Sequence, residues 1–457
     1  MSTTKKRLRY KVKIYLRAGL LIVVLAFTLK DGLPDRSRSG RIHTAAHPYE
    51  FNYVAWEVEA LWSKARQSMW GYQSYVPEKD RKAVILEYID LVGQMFDLEA
   101  QLEATYTNPS SADRNDLRRQ IARLDKSRAE LQPIVEPMIE SQVSTVLAEQ
   151  GFGVLGQIVP PVSFRFLEPP DVLVVSPREV IRQDFAISLR SLNVDEAPQL
   201  EKRVEIASPN DSAYVTSIGG VGIWPAMVIE TRYPAYAFEI VAHEWSHHYL
   251  FMFPLGLDYL ALPETRIINE TTATVFGNAM ALLVLDRFYH QEVEDGSIWV
   301  PDYPTLADFQ PQTTDNSSTP ETTEPHRDPD GPRPTTRGTI INRTRITADY
   351  LLALGRVDAA EAYMESRRQW LGMRVLNQAW FAFNGGYQAD PGQGGGVSLT
   401  TTVDVTDPTY PGDPIGPAIH EIAELAPNLA DFLNIMRDVT TRRELIETLI
   451  EARSRWK

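Results

Sequence analysis

The sequence predicts an α+β protein, mostly helical with a small mixed β-sheet, preceded by an N-terminal membrane anchor and including a helical hairpin. Three observations predict it. Apolar residues recur at helical spacing over most of the chain. Short runs rich in Val, Phe, Tyr and Ile, divided by Pro and Gly, are confined to residues 158–229. A basic cluster followed by an uncharged apolar run stands ahead of both. With 457 residues, 43% of them hydrophobic and 23% charged, the chain can build a sizeable core in two or three domains. A net charge of −14 argues against a nucleic-acid partner, since binding phosphates requires a basic surface. Cysteine is absent, so any metal must be held by His, Asp or Glu.

The elements follow in order. Lys5, Lys6, Arg7, Arg9, Lys11, Lys13 and Arg17 precede the uncharged run Ala18–Leu29. This is the pattern of a signal anchor or a cleaved signal, and no clear cleavage site follows. The run is shorter than the roughly 20 apolar residues of a full span. Counting back to Ile14 lengthens it if Arg17 snorkels to the headgroups. The expected location is therefore the membrane, with a single N-terminal pass and the acidic remainder outside the cytoplasm. Secretion after cleavage is the alternative. Residues 30–48 read as a tether. Phe51–Gly71 carries Phe51, Tyr53, Trp56, Trp62 and Trp70, and has two readings: a membrane-interface segment, or an amphipathic helix packed on the core, which is preferred. Residues 80–148 read as a helical hairpin broken at 107–111, with a heptad-like seam of Leu117, Ile121, Leu124 and Leu131. That stripe serves either the core or a protein partner.

Extended runs are expected at Val162–Leu167, Val172–Val175 and Ala213–Ile218. Pro225 within 218–230 points to an edge strand. Helix resumes near Tyr236, runs to about Phe251, and a further helix begins near Glu264. Thr313–Arg337 is Pro-, Thr- and acid-rich and is expected to be a disordered insertion. Helices are expected at 347–369, from 376 towards the glycine pair before Tyr387, and at 415–453. The chain thus divides at 1–48, 49–150, 151–310, 311–338 and 339–457.

The chemistry is concentrated in AFEIVAHEWSHHYL at 237–250. His243 and His247 stand at i and i+4, one turn apart on one helix face. Two imidazoles so placed can bind one Zn2+, and Glu244 can act as general base on a zinc-activated water. His248 points about 100° away from His247, so it is expected at the surface or behind the ligands. A third ligand is needed. Leu250 and Phe253 stand where the short metzincin continuation would place its Gly and third His. In RIINETTATVFG at 266–277, Asn269, Glu270 and Ala273 form an N-E-x-x-A segment.

With that segment the chain resembles the gluzincin zinc metallopeptidases over about 70 residues, from 213 to Met280. The resemblance implies a zincin catalytic core within 151–310, a zinc ion on His243, His247 and Glu270, and a Glu helix beside the active-site helix. It also implies hydrolysis of a peptide or protein substrate, with Glu244 as the catalytic base. Thr274 stands where several such families carry Asp. Glu264 is the rival ligand. The GGVG and PAMV segments would lie along the cleft as an edge strand, open to an extended substrate, or the glycines merely form a turn. Tyr249, Tyr350, Tyr387 and His420 are candidate oxyanion stabilisers. Two other functions remain open: an inactive zincin-like scaffold binding a protein partner at the membrane, and a zinc hydrolase of non-peptide amides.

Overall fold

The computed structural model describes residues 36–71, 75–107, 114–193, 195–218, 220–259, 263–304, 337–384, 406 and 414–456. The anchor run, the insertion at 313–336 and Tyr387 lie outside the described residues. Most of the described chain is helical, and the strands are few and short.

The chain opens with α1 (Arg38–Ala46), whose cap is Ser37, accepting from the Gly40 N–H at 3.1 Å. Residues 36–48 therefore depart from the expected tether. Ile42, Ala45 and Ala46 are buried, and Arg38 bridges Asp184 at 2.6 Å and Asp211 at 2.5 Å. A polar composition hid three apolar positions on one helix face. Next come α2 (Tyr53–Trp70) and the hairpin α3 (Glu78–Thr107) and α4 (Arg114–Glu149), which matches the expected hairpin. In α3, Ile85, Tyr88, Ile89 and Val92 are buried, whereas Phe96 is exposed, so only the first half of its stripe serves the core.

The β region forms two sheets where one mixed sheet was expected. Strands β1 (Phe164–Phe166), β2 (Asp171–Pro177) and β3 (Phe185–Leu189) precede α5 (Glu196–Ala207). Then come β4 (Asp211–Thr216), β5 (Gly220–Val221) and β6 (Ala226–Val228). One sheet, in the order β3-β2-β4, is antiparallel. The other is mixed, in the order β1-β6-β5, with β1 parallel and β5 antiparallel to β6. The edge-strand reading of 218–230 is corrected here. The PAMV segment is the central strand, because Pro225 falls just before the first ladder residue, Ala226, and removes no ladder hydrogen bond. Within 220–230, only Gly220–Val221 lies at an edge of the sheet among the described residues.

The other edge of the mixed sheet is closed by side chains. Glu140 on α4 accepts from the Phe164 N–H at 2.9 Å, and Glu136 accepts from the Phe166 N–H at 3.0 Å. Lys64 of α2 joins both carboxylates, at 2.9 Å to Glu136 and 2.8 Å to Glu140. Two carboxylates one turn apart on a helix thus match two N–H groups two residues apart on a strand. The unpaired donors of β1 are satisfied without a further strand.

Helices α6 (Pro234–Leu250) and α8 (Pro263–Glu294) start within a few residues of the expected positions, and the short α7 (Pro254–Leu257) between them was not expected. Among the described residues α8 is the one helix long and apolar enough to cross a membrane, but 61% of its apolar window is buried in the protein. The remainder is α9 (Arg337–Ala353), α10 (Val357–Trp370), α11 (Gln378–Asn384), α12 (Ile415–Leu425), α13 (Leu429–Met436) and α14 (Arg442–Trp456).

The C-terminal region is not one unit. Helix α11 packs on β2 and β4, and Ala379 shares a core with Val172 and Val174. Helices α12 to α14 instead complete the main core around α6 and α8, with Ile419, Phe432, Leu433 and Leu449 fully buried there. The antiparallel sheet thus has helices of 339–384 on one face, and α1 and α5 against a separate core on the other.

Candidate metal centre

The core positions the site through a close crossing of α6 and α8. Gly277 of α8 permits it: a Cβ there would stand 2.9 Å from the Glu239 carbonyl oxygen and 3.2 Å from the His243 Cβ. Fully buried Ala242 and Ala273 add no bulk to the two helices. Helix α6 is further fixed by Trp245, which packs on Phe152, Tyr249 and Phe276 and donates from Nε1 to the Pro160 carbonyl at 2.8 Å.

Three side chains converge on the crossing. His243 Nε2 and His247 Nε2 stand 3.1 Å apart, and Glu270 Oε2 lies 3.5 Å from the first and 3.6 Å from the second. Among the described residues these three form the one cluster of His, Asp and Glu able to hold a metal ion. Donors bonded to one tetrahedral zinc at 2.0–2.1 Å stand roughly 3.3 Å from one another, so the spacing fits. Glu264, the rival ligand, is engaged elsewhere: it accepts from Arg442 Nη1 at 2.8 Å and from the Arg442 N–H at 3.1 Å.

The electrostatics follow from this crowding. Burial opposes charge on His247, but the Glu270 carboxylate outweighs it and lifts the imidazole pKa to about 9. Burial likewise opposes charge on Glu270, and His247 and His243 reverse that effect, holding it well below the usual carboxylate range. A cation among the three would replace that proton and be favoured by the same field.

Glu244 lies beside this cluster and is 5% exposed. Burial raises its pKa, and the neighbouring imidazoles oppose the rise. Its carboxylate sits beneath the β5 edge. A Cβ on Gly220 would meet Glu244 Oε1 at 2.1 Å, and one on Gly222 would come within 3.1 Å of His247 Cβ and 3.2 Å of Glu244 Oε2. The two glycines therefore do more than turn the chain: they let main chain pass directly over the carboxylate. Gly220→Ala is expected to keep the fold, because the atom it strikes hardest is the end of the Glu244 side chain and the Met227 carbonyl, 3.0 Å from the new Cβ, need give by only a few tenths of an ångström. If the carboxylate serves as a catalytic base, displacing it should lower kcat by ~10-fold or more. Unchanged kcat with metal still bound would show that the position of the carboxylate is immaterial.

Two residues complete the surroundings without having been singled out by sequence reasoning. Tyr259, between α7 and α8, donates its hydroxyl to Glu270 Oε1 in a short hydrogen bond, leaving Oε2 facing the imidazoles. No spacing rule reaches it, since it comes from a loop. Asn269, noted only as part of the N-E-x-x-A pattern, is buried and donates to the Leu255 carbonyl at 3.0 Å. Its carboxamide raises the proton affinity of His247, while its oxygen makes no hydrogen bond of ordinary geometry.

The other candidates are placed differently. His248 is neither ligand nor surface residue: Nε2 donates to the Ile223 carbonyl at 2.7 Å, tying α6 to the β5–β6 turn, and burial pushes its pKa down to about 4. Tyr249 donates to Asn434 Oδ1 at 3.0 Å. Tyr350 is exposed on α9, and His420 is buried on α12, which packs on α8 and α14. Comparison of the chain with known protein families, curated proteins and solved structures finds no match. The functional reading rests on the chain's own residues.

Proposed function

We propose that this chain is a membrane-anchored, zinc-dependent metallopeptidase with a gluzincin-like zincin core, hydrolysing peptide bonds in an extended polypeptide. The observation that carries the reading is the convergence of His243 Nε2, His247 Nε2 and Glu270 Oε2 within 3.6 Å, with the Glu244 carboxylate beside them beneath an open sheet edge.

His243, His247 and Glu270 would hold the ion, and Tyr259 would orient Glu270. When bound, zinc supplies a Lewis acid and lowers the pKa of a coordinated water toward ~7. Glu244 takes the proton of the attacking water on its carboxylate and returns it to the leaving amine. Main-chain groups of Gly220 and Val221 pair with the substrate as a further strand. Closure of the β1 edge by Glu136 and Glu140 supports this, because it leaves β5 as the edge available to a substrate. The anchor is the uncharged run Ala18–Leu29.

Metal content distinguishes the ligand from its rival. Glu270→Ala is expected to lose most bound zinc, and Glu264→Ala to keep one ion per chain. The reverse pattern would overturn the ligand set proposed here. Retention in both would point to a carboxylate outside it.

A further inference from the structure

Helix α2 is turned inside out. Val54, Val58, Leu61 and Trp62 recur at i, i+4, i+7 and i+8, which is one face of a helix. That face points to solvent: Val54 is 76% exposed, and Val58 and Trp62 are each 65% exposed. The side facing the protein carries Ala60, Lys64 and Gln67, all buried. This corrects the preferred expectation of an amphipathic helix with its apolar stripe on the core. The rotation is held by strong contacts. Lys64 is pinned between Glu136 and Glu140, Gln67 donates to Glu136 at 2.8 Å, and the Lys64 ammonium lies 5.4 Å from the Phe164 ring centroid. Turning the stripe inward would strip a buried charge of its partners.

We infer that the outer face of α2 lies on the lipid surface of the membrane holding the chain, seated at the boundary of headgroups and acyl chains. The inference rests on the anchor reading. If Ala18–Leu29 is in the bilayer, Lys30–Asp35 is all that separates it from the first described residue. Six residues reach at most about 20 Å, so the folded body is held against the lipid.

The stripe has the chemistry for that place: aliphatic residues followed by a Trp, which favours the interface. A second copy of the chain is a poorer occupant. From Val54 to Ala65 the stripe is about 18 Å long and roughly 10 Å wide. That area falls far below the ~800 Å² per partner of a standard interface. Charge plays little part, because the rim carries Glu57 and Glu59 against Arg66.

The placement orients the enzyme. Helix α2 packs beside α4 and reaches β1, where Glu59 pairs with Arg165 at 3.3 Å. The open edge β5 is on the far side of the sheet. With α2 on the lipid, the cleft faces away from it, which suits a polypeptide that approaches from water.

The absence of cysteine makes the test direct. Val58→Cys in the full chain carries an environment-sensitive fluorophore as its single thiol adduct. Ile206→Cys, on exposed α5, is the control. Both are reconstituted into phosphatidylcholine vesicles with and without nitroxide-bearing lipid, and flotation of the vesicles reads the anchor separately. Expected is a blue-shifted emission at position 58, insensitive to salt. It should be quenched at least about twofold more than at 206, most by nitroxides near the headgroup, since such helices sit about 5–10 Å into the boundary. A chain that floats while position 58 stays in water overturns the inference and leaves the anchor intact. A chain that does not float overturns both. Shielding of position 58 in dispersed detergent monomers would assign the face to another segment of the chain. Shielding that grows with protein concentration would assign it to a second copy.

Discussion

Replacing Glu244 by Gln is expected to leave zinc bound and to abolish nearly all hydrolysis, by about 10²-fold or more. The amide keeps the shape of a side chain that is 5% exposed and lies under Gly220, so neither the helix crossing nor the three converging donors should move. What it removes is the proton acceptor. His243→Ala should behave differently, losing zinc and activity together, because its Nε2 is one of the donors. The pair of variants separates three functions. An enzyme retains metal without turnover in the first variant and loses both in the second. A scaffold shows no hydrolysis even as wild type, and its partner binding survives Glu244→Gln. A hydrolase of other amides leaves peptides intact but shows the same loss on its own substrate. Equal peptide cleavage by wild type and Glu244→Gln would refute the assigned role, whatever the metal content.

The largest effect on stability is expected from Lys64→Met, which leaves Glu136 and Glu140 buried without their cation. Breaking a buried ion pair from one side costs ~3–5 kcal/mol, far more than loss of a surface pair. The pH dependence follows from the direction of each shift. Burial opposes the charge of Lys64, but Glu136 and Glu140 outweigh it and raise its pKa. Its contribution is therefore complete below the ordinary lysine value and is lost only as pH rises through the folded one.

For Glu140, burial raises the pKa and Lys64 opposes the rise. Its folded form takes up a proton more readily than its unfolded form, so its burial as a carboxylate becomes less costly on acidification. In Lys64→Met the main opposing influence is gone, and the Phe164 N–H is left to favour the charged carboxylate. The deficit should be greatest at pH 7–8 and shrink toward pH 5, as the Glu140 carboxylate is neutralised above its unfolded value of ~4.3. Denaturant midpoints across that range measure it. A variant as stable as wild type at pH 8, or a deficit that does not change with pH, would show that the lysine does not stabilise the carboxylates.

The parts legible in the sequence were those set by short-range geometry. A spacing of four residues places His243 and His247 on one helix face whatever surrounds the helix, and their Nε2 atoms stand 3.1 Å apart. The hairpin, the two site helices and the strands β1, β2 and β4 likewise follow from local periodicity and from Pro and Gly. The N-E-x-x-A pattern selected Glu270 over Glu264, and the structure brings Glu270 to the imidazoles while Glu264 binds Arg442.

Other features depended on what lies opposite a residue in space, and a linear pattern does not contain that. The division of one expected sheet into two was set by which strands pair, and β3, β5 and β6 are too short or too interrupted to announce their partners. The stripe on α2 was visible, but its direction was decided by Lys64 meeting two carboxylates on α4 and by those carboxylates meeting β1. Tyr259 reaches Glu270 from a loop with no periodicity of its own. The sequence by itself determined that two histidines and a glutamate share one turn of a helix. Only the tertiary structure, through the glycine at 277 that lets α8 approach α6 and the glycines at 220 and 222 that let β5 pass over Glu244, decided that they meet a third donor beneath that strand. Donor convergence needs backbones closer than most side chains allow, and that closeness is a property of the packed pair of elements rather than of either segment alone.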